Sequence, residues 1–205
     1  MARLVRLDPR LALVLAATGC PQLRRRPAGF AGLCAIVLAQ QVSAAAARAI
    51  AVRLEAGLDG PPTPEAVLAA GEPGLRAAGL SRPKIRTLIA LAQQAEAGAL
   101  DLAALAGRDS AAARAELVRL PGIGPWTAEV YLLFALGRAD AFPAGDLALQ
   151  VAASEAFGLG ARCDTAALER IAEAWRPLRG VAAQLLWAYY ALSRRSAASV
   201  LAAPA

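Results

Sequence analysis

Apolar residues recur at helical spacing along almost the whole chain of 205 residues, and Gly and Pro interrupt them at intervals. Around Leu33, Val37 and Ala44 the apolar rows follow the 3.6-residue period of a helix. This pattern predicts an all-α protein. It places a short helix at residues 8–17 and a long apolar helix from residue 30 to about residue 55.

Capping and helix-breaking residues set the later boundaries. Thr63 precedes a Pro-Glu pair and is expected to cap the next helix, as are Asp101, Asp109 and Thr165 further along. We expect helices at residues 114–120, 125–136, 146–157, 165–175 and 178–195, and a frayed tail over residues 196–205.

The composition supports the helical interpretation and gives the chain a positive net charge. Hydrophobic residues make up 58% of the chain, Ala and Leu dominate, and β-branched runs are scarce. The net charge is +6 and the pI is about 10.0, with Lys84 as the only lysine. An excess of arginine suits a polyanionic partner, although an Ala- and Arg-rich chain can also follow from genomic base composition.

The chain contains no histidine, which excludes His-based catalytic dyads and most zinc sites. Cys20, Cys34 and Cys163 lie far apart and are odd in number. We therefore expect buried free thiols in a reducing, cytoplasmic compartment and no disulfide framework. Residues 27–47 carry no charge, but the polar side chains among them favour a buried helix over a membrane span.

The most informative motif is Leu-Pro-Gly-Ile-Gly-Pro-Trp-Thr-Ala at residues 120–128. Gly122 and Gly124 leave backbone N–H groups unobstructed, and Pro125 suits the first position of a new helix. Because a helix N-terminus with exposed N–H groups attracts anions, this corner predicts a phosphate site. An ordinary helix–turn–helix corner is the alternative interpretation.

A lone acidic residue, Asp146, follows Ala128 after eighteen residues. Aspartate at the start of a helix commonly acts as its N-cap. A carboxylate can also stabilise the positive charge that develops on a sugar when a glycosidic bond breaks. The two roles can coexist in one side chain.

Together these motifs resemble the helix-hairpin-helix GPD superfamily of DNA base-excision glycosylases. Three other segments agree with that resemblance, namely Ile-Val-Leu-Ala-Gln-Gln-Val-Ser at 36–43, Gly-Leu-Ser-Arg-Pro-Lys at 79–84, and Trp-Arg-Pro-Leu-Arg-Gly at 175–180 with Trp187 behind it. The last segment is similar to the closing helix of the 3-methyladenine DNA glycosylase II branch. The resemblance covers residues 8–195, and we expect the helical core without the N-terminal β-rich lobe of larger relatives.

The resemblance implies a single helix-hairpin-helix GPD unit over residues 1–205, built as two helical lobes with the active-site cleft between them. Residues 30–110 would form the central lobe, and residues 111–150 the hairpin and catalytic segment. Residues 8–29 and 151–195 would pack together as the second lobe.

The resemblance also assigns roles to side chains. Asp146 occupies the position of the catalytic aspartate, and Gln41 that of the side chain that wedges into the gap left by a flipped base. Gln40 would brace the backbone of its helix. The substrate-pocket candidates are the aromatic residues Trp126, Trp187, Tyr131, Tyr189 and Tyr190. The DNA-binding candidates are Gln41, Gly122, Gly124, Thr127, Arg24, Arg25 and Arg26, although the three arginines could equally stay solvated.

Differences from other branches indicate the reaction type. Trp126 stands where lyase-competent relatives such as endonuclease III carry a Schiff-base lysine, which implies a monofunctional glycosylase with water as the nucleophile. Ile36 stands where adenine DNA glycosylase has a proton-donating carboxylate, which favours alkylated purines that already carry positive charge. No cysteine follows Cys163, so no iron–sulfur cluster is expected.

The resemblance implies that no cofactor is required. It also implies a site for a structural Na⁺ or K⁺ ion, whose ligands would be the backbone carbonyls of Val118, Leu120 and Ile123. It implies excision of 3-methyladenine- and 7-methylguanine-type bases from double-stranded DNA in base-excision repair. The enzyme would leave an abasic site and act as a nucleoid-associated monomer. Two alternatives stay open: a glycosylase for uracil, mismatched or deaminated bases, and a helix-hairpin-helix module that binds DNA without cutting it.

Overall fold

The computed structural model describes residues 1–201, and it describes side chains for residues 1–195. Helices account for every regular element in this range, so the all-α prediction is confirmed. They are α1 (Ala2–Leu7), α2 (Leu11–Thr18), α3 (Phe30–Ala39), α4 (Ala44–Gly57), α5 (Pro64–Ala77), α6 (Arg82–Glu96), α7 (Ser110–Leu117), α8 (Pro125–Phe134), α9 (Leu147–Phe157), α10 (Thr165–Ala172) and α11 (Arg179–Leu201), with 3₁₀ turns at Ala104–Gly107 and Glu173–Trp175. Helix α11 continues past its predicted end at residue 195. Residues 202–205 of the predicted frayed tail lie outside the described residues.

The chain folds as two compact units, whose boundaries differ from those of the predicted segments. The central unit comprises Arg25–Gly137, and the terminal unit comprises Met1–Arg24 together with Arg138–Ala205. The division falls inside the predicted segment 111–150. The hairpin motif therefore belongs to the central unit, and Asp146 belongs to the terminal unit.

An apolar interior built from α3, α5, α6 and α8 supports the hairpin motif in the central unit. Helices α5 and α6 pack along each other, and α3 contacts both α6 and α8. Leu33, Leu88 and Tyr131 are fully buried there. Since short helices are marginal in isolation, this packing, more than helix propensity, holds the two arms of the hairpin.

The predicted long helix over residues 30–55 is wrong, because two helices occupy that stretch with a sharp turn between them. After α3, Gln40 is extended and Gln41 has a φ of 54°. The Ser43 hydroxyl then accepts a hydrogen bond from Ala46 N at 3.2 Å and begins α4. A local serine cap thus overrides an apolar period that continues across the turn.

A buried tryptophan organises the terminal unit. Trp175 is fully buried, its Nε1 donates to Asp8 Oδ2 at 2.9 Å, and its ring meets the edge of Phe142 with centroids 5.8 Å apart. Asp8 ends α1 as its C-cap. The predicted helix at residues 8–17 therefore starts only at Leu11, and α1, which was not predicted, precedes it.

Local capping predictions have mixed outcomes. The side chains of Thr63 and Asp109 cap α5 and α7 by accepting hydrogen bonds from backbone N–H groups, so these caps are confirmed. Asp101 Oδ1 accepts from Ala104 N at 2.9 Å, but the N-cap of this 3₁₀ turn is Ala103. The predicted cap at Thr165 is wrong. Asp164 Oδ1 caps α10 through Ala167 N at 2.7 Å, and Thr165 Oγ1 instead accepts from Gln150 Nε2.

The uncharged segment 27–47 contributes α3, in which Cys34 is buried and burial raises the pKa of the thiol to about 12. Cys163 is also buried, but Cys20 is exposed, contrary to the expectation of three buried thiols. Among the residues that the structure describes, no helix is both long enough and apolar enough to cross a membrane.

Candidate functional site

The hairpin motif forms a tight turn between α7 and α8. Helix α7 begins at Ser110 and ends at Leu117, so this arm lies earlier in the chain than the predicted range 114–120. Helix α8 begins at Pro125 as predicted but ends at Phe134, two residues before its predicted end. Within the turn, Ile123 N donates to Leu120 O at 3.1 Å, and the Ile123 side chain is buried. Gly124 precedes α8 as its N-cap. Because the first amides of a helix have no acceptor within it, this end of α8 suits an anion.

The two glycines of the motif serve different purposes. Gly122 has a φ of 73°, and a Cβ at this position would lie 2.0 Å from Thr87 Oγ1. Gly124 has a φ of −84°, and a Cβ there would meet nothing within 4 Å. Gly122 is therefore required for close packing against α6, whereas Gly124 leaves the backbone open to a ligand.

Gln40 braces the hairpin, which corrects the prediction that it braces its own helix. Its Nε2 donates to Gly122 O at 3.1 Å and to Thr127 Oγ1 at 2.9 Å. Thr127 is buried, with 2% of its surface exposed. The Thr127 hydroxyl thus bonds Gln40 and is not directed at DNA. The backbone N–H of Thr127 remains a candidate for the predicted DNA contact.

Gln41, the predicted wedge, lies exposed in the turn that follows α3. Its φ of 54° is in the left-handed region, which residues other than glycine rarely adopt. Such backbone strain concentrates at functional sites, where the surrounding structure maintains it. The placement makes Gln41 accessible to a ligand, and its role as a wedge stays a prediction.

The aromatic pocket candidates of the central unit fall into two environments. Trp126 is half-buried in the first turn of α8. Tyr131 is fully buried, and its hydroxyl accepts a hydrogen bond from Gly29 N at 2.9 Å. Burial raises the pKa of Tyr131. Tyr131 belongs to the core that supports the start of α3, so its predicted role as a pocket wall is corrected.

Lys84 has a structural role that sequence reasoning missed. Its side chain is buried, and Nζ donates to Leu38 O, near the end of α3, at 2.7 Å. Burial lowers the pKa of the ammonium group. A cation beside the last carbonyls of a helix is favourable. The sequence feature that could have indicated this role is that Lys84 is the only lysine among basic residues that are otherwise arginines.

Asp146 has its predicted N-cap role, within the terminal unit, and its catalytic role stays a prediction. Its Oδ1 accepts from Leu149 N at 3.1 Å, which makes Asp146 the N-cap of α9. The same oxygen accepts from Trp187 Nε1 at 3.1 Å. Asp146 and Trp187 are both half-buried. The predicted pocket tryptophan is thus in direct contact with the predicted catalytic carboxylate and fixes its orientation.

A buried glutamine holds the loop before Asp146, and sequence reasoning did not single it out. Gln150 Nε2 donates to Ala144 O at 3.0 Å and to Thr165 Oγ1 at 3.2 Å. Asp146 N also donates to Pro143 O at 2.8 Å. The signal in the sequence was a polar side chain on the otherwise apolar face of α9, because buried polar groups usually have such partners.

The remaining candidates lie at the surface or close to it. Arg24, Arg25 and Arg26 are exposed in the loop between α2 and α3. Hydrogen bonds from backbone N–H groups fix the position of that loop, since Arg24 N donates to Gln184 Oε1 and Arg26 N donates to Phe134 O.

Two further aromatic candidates lie on α11. Tyr189 and Tyr190 are half-buried, and the Arg194 guanidinium lies 5.1 Å from the centre of the Tyr190 ring. Tyr190 therefore has an intramolecular cationic partner on one side of its ring. Tyr189 stays a candidate for the substrate pocket.

Curated proteins similar to this chain are DNA repair enzymes by name. The probable bifunctional transcriptional activator/DNA repair enzyme AlkA of Mycobacterium tuberculosis is 41% identical over 163 residues, which are 74% of this chain and 31% of that protein. DNA-3-methyladenine glycosylase 1 of Schizosaccharomyces pombe is 35% identical over 117 residues, 56% of this chain and 51% of that protein. The chain thus spans about a third of the first relative and half of the second.

Solved structures with the same fold cover nearly all of the chain. The DNA-3-methyladenine glycosidase of Bacillus halodurans superposes with a TM-score of 0.79 at 33% identity, over 94% of this chain and 89% of the other. The 3-methyladenine DNA glycosylase Mag1 of Schizosaccharomyces pombe, solved with abasic-DNA, has a TM-score of 0.84 at 26% identity, over 91% and 93%. The family described as HhH-GPD superfamily base excision DNA repair protein matches residues 34–177. The chain therefore belongs to the HhH-GPD superfamily of base excision DNA repair proteins.

Proposed function

We propose that this chain is a monomeric DNA glycosylase that flips alkylated purines of the 3-methyladenine and 7-methylguanine type out of duplex DNA. It hydrolyses the N-glycosidic bond and leaves an abasic site. The observation that carries the proposal is Asp146, a half-buried carboxylate that Trp187 Nε1 and Leu149 N hold by hydrogen bonds. The names of the relatives support it, because those from Schizosaccharomyces pombe and Bacillus halodurans are a 3-methyladenine DNA glycosylase and a DNA-3-methyladenine glycosidase.

Asp146 acts on charge that develops during the reaction. Breaking the N-glycosidic bond builds positive charge on the sugar, and a nearby carboxylate stabilises that charge and orients a water molecule. Two donors on Oδ1 keep the carboxylate in position before the reaction begins. Alkylated purines already carry positive charge and leave without a proton donor, in keeping with Ile36, a fully buried apolar side chain.

The central unit supplies the grip on the strand. The amides at Gly124 and at the start of α8 bind a phosphate, and Gln41 fills the gap that a flipped base leaves. Backbone carbonyls of Val118, Leu120 and Ile123 are hard oxygen ligands that suit a Na⁺ or K⁺ ion. Leu120 O also accepts from Ile123 N, and because a carbonyl oxygen has two lone pairs it can still act as a ligand.

We also propose that the reaction stops at the abasic site. A lyase step needs an amine nucleophile, and Trp126 stands where lyase-competent relatives carry a lysine. Lys84, the only lysine, is buried and donates to Leu38 O. Borohydride added during the reaction is expected to trap no covalent protein–DNA adduct, whereas an 8-oxoguanine glycosylase/lyase used as the positive control does form one. A trapped adduct would contradict this part of the proposal.

Asp146→Asn tests the mechanism directly. Asn also caps helices well, so folding and DNA affinity should be retained while the rate of base release from methylated duplex DNA falls at least about 100-fold, which equals a loss of roughly 2.7 kcal/mol of transition-state stabilisation. The released bases are identified by mass spectrometry.

The matched control is Asp164→Asn. Asp164 caps α10 in the same unit through Ala167 N, as Asp146 caps α9. This variant should keep the wild-type rate. An Asp146→Asn variant with full activity would rule out the proposed mechanism. Release of uracil or deaminated bases in place of methylated purines from a panel of damaged duplexes would overturn the substrate class.

A further inference from the structure

We infer that Gln40 is a positioning residue that couples the Gln41 turn to the hairpin, so that the side chain entering the DNA and the backbone gripping it move as one body. The inference rests on the proposed function, because it assumes that Gln41 contacts the helix stack at a lesion. It adds to that function a contact that holds the Gln41 turn and the hairpin in a fixed position relative to each other within the central unit.

The Gln40 side-chain NH₂ group donates two hydrogen bonds to the hairpin. A glutamine side-chain NH₂ group has two hydrogens, and here one points to Gly122 O at 3.1 Å and the other to Thr127 Oγ1 at 2.9 Å. Gly122 lies in the turn, and Thr127 lies in the first turn of α8. One side chain therefore fixes both the turn and the start of the helix that follows it.

The same residue controls the backbone of Gln41. Gln40 ends α3, with its N–H bonded to Val37 O at 3.2 Å, and Gln41 follows with a φ of 54°. A left-handed conformation at a residue other than glycine persists only where neighbouring contacts impose it. The Gln40 hydrogen bonds to the hairpin supply such a contact on the side of α3, and the Ser43 cap supplies another at the start of α4.

Helix α6 contacts both the hairpin turn and the end of α3. Thr87 lies against Gly122, where there is no room for a Cβ, and Lys84 Nζ holds Leu38 O near the end of α3. Thr87 and Lys84 are three residues apart, so they share one face of α6. The hairpin, the end of α3 and α6 thus form a closed set of contacts, and Gln40 is the link between the first two.

A double-mutant cycle tests the coupling. Gln40→Met removes both donors and keeps the length of the side chain, while Gln41→Gly removes the wedge and tolerates the positive φ. The readout is the preference for a duplex with a tetrahydrofuran abasic-site analogue over an undamaged duplex, measured by fluorescence anisotropy. Each single variant should lower this preference about tenfold, the size of a typical coupling between contacting residues. The double variant should lose no more than the stronger single one.

Thr127→Val provides a second, milder cycle, because it removes one acceptor of the Gln40 amide and keeps the shape of the side chain. It should lower the preference in the wild-type background and have no effect in the Gln40→Met background. Thr63→Ala removes one cap hydrogen bond in the same unit, at the start of α5. It should lower thermal stability and leave the preference unchanged.

The inference is overturned if the losses of abasic-site preference caused by Gln40→Met and Gln41→Gly multiply in the double variant. It is also overturned if Gln40→Met lowers thermal stability but leaves the preference unchanged, as is expected of Thr63→Ala. Base release by the wild-type protein separates this result from the proposed function. A wild-type protein that releases no methylated base refutes the proposed function. A protein that releases bases but shows independent losses refutes only the coupling.

Discussion

Asp146 is the N-cap of α9, and the proposed mechanism gives the same carboxylate a chemical role. Its Oδ1 caps α9 through Leu149 N and receives Trp187 Nε1. A capping side chain typically contributes about 1 kcal/mol to stability, whereas a carboxylate that stabilises a developing cation changes a rate by orders of magnitude. In the proposed mechanism the cap and the chemistry are compatible, because the cap hydrogen bond limits the movement of the carboxylate.

Asp8 shows a purely structural use of the same kind of side chain. Asp8 is 5% exposed, and its carboxylate accepts from Arg10 Nε at 2.9 Å and from Trp175 Nε1 at 2.9 Å. The Arg10 hydrogen bonds, aided by Trp175, hold the pKa of Asp8 below its ordinary value. The bonds therefore stabilise the fold above about pH 4, the unfolded pKa, and this stabilisation is lost as the pH falls through the folded pKa.

Replacing Asp8 with Asn should lower the free energy of unfolding by about 1–3 kcal/mol at neutral pH, because charge-assisted hydrogen bonds to Arg10 and Trp175 weaken. The difference between the wild type and the variant should shrink at acid pH, where Asp8 is protonated. Urea unfolding at pH 7 and at acid pH measures both values. Glu55→Gln, at an exposed site, is the control and should change little. A pH-independent difference would contradict the assignment.

At the scale of elements, the ends of helices carry the candidate functional groups. Gln41 follows the end of α3, Gly124 precedes α8, and Asp146 precedes α9. Helix termini leave backbone N–H and C=O groups without partners inside the helix, so they offer anion sites and capping positions that helix interiors do not. The packed interiors of α3 and α8 hold two of these ends in place.

The two hairpin glycines should respond differently to the same substitution. Gly122→Ala introduces a Cβ into the position of Thr87 Oγ1 at a φ of 73°, so we expect a loss of about 1–3 kcal/mol in the free energy of unfolding. Gly124→Ala has open space and an ordinary φ. Its stability should stay within about 0.5 kcal/mol of wild type, while its DNA affinity falls because a methyl group obstructs the approach of a phosphate. Urea unfolding and anisotropy titrations measure the two effects. Equal stability losses would disprove the distinction.

At the scale of the whole molecule, the excess of positive charge suits the DNA partner that we propose. The net charge is +6, and arginine supplies nearly all positive groups, including Arg24, Arg25 and Arg26, which are exposed in one loop. Neutralising phosphates releases condensed cations, which makes binding strongly dependent on salt. Electrostatic attraction of this kind carries no sequence preference, which suits the proposed excision of damaged bases wherever they occur.

Affinity for undamaged duplex DNA should therefore fall steeply with salt. With about three phosphate contacts, the affinity would drop roughly 40-fold over a fourfold rise in monovalent salt. Replacing Arg24, Arg25 and Arg26 together with Ala should reduce the slope of log Kd against log salt concentration. Asp146→Asn should leave that slope unchanged, because the proposed mechanism places its side chain in the chemical step and not in a phosphate contact. A flat salt profile for the wild type would contradict the proposed interface.

The sequence by itself determined the elements and the chemical candidates that depend on local patterns. Helical periodicity predicted an all-α protein, and the Gly-x-Gly-Pro corner predicted the turn between α7 and α8. Family motifs pointed to Asp146, whose capping role followed from its place at the start of a helix. These features lie within a few residues of one another, so a linear pattern contains all the information that they need.

Only the tertiary structure decided which distant side chains meet. The partners of Gln40 are 82 and 87 residues away, and Trp187 reaches Asp146 across 41 residues. The burial of Tyr131 depends likewise on a segment 102 residues away, at Gly29. Such contacts arise when apolar faces of several helices close together, and the resulting neighbours of a polar side chain have no local signature. The fold thus placed one expected pocket wall in the core, and it joined one expected helix brace to the hairpin by two hydrogen bonds.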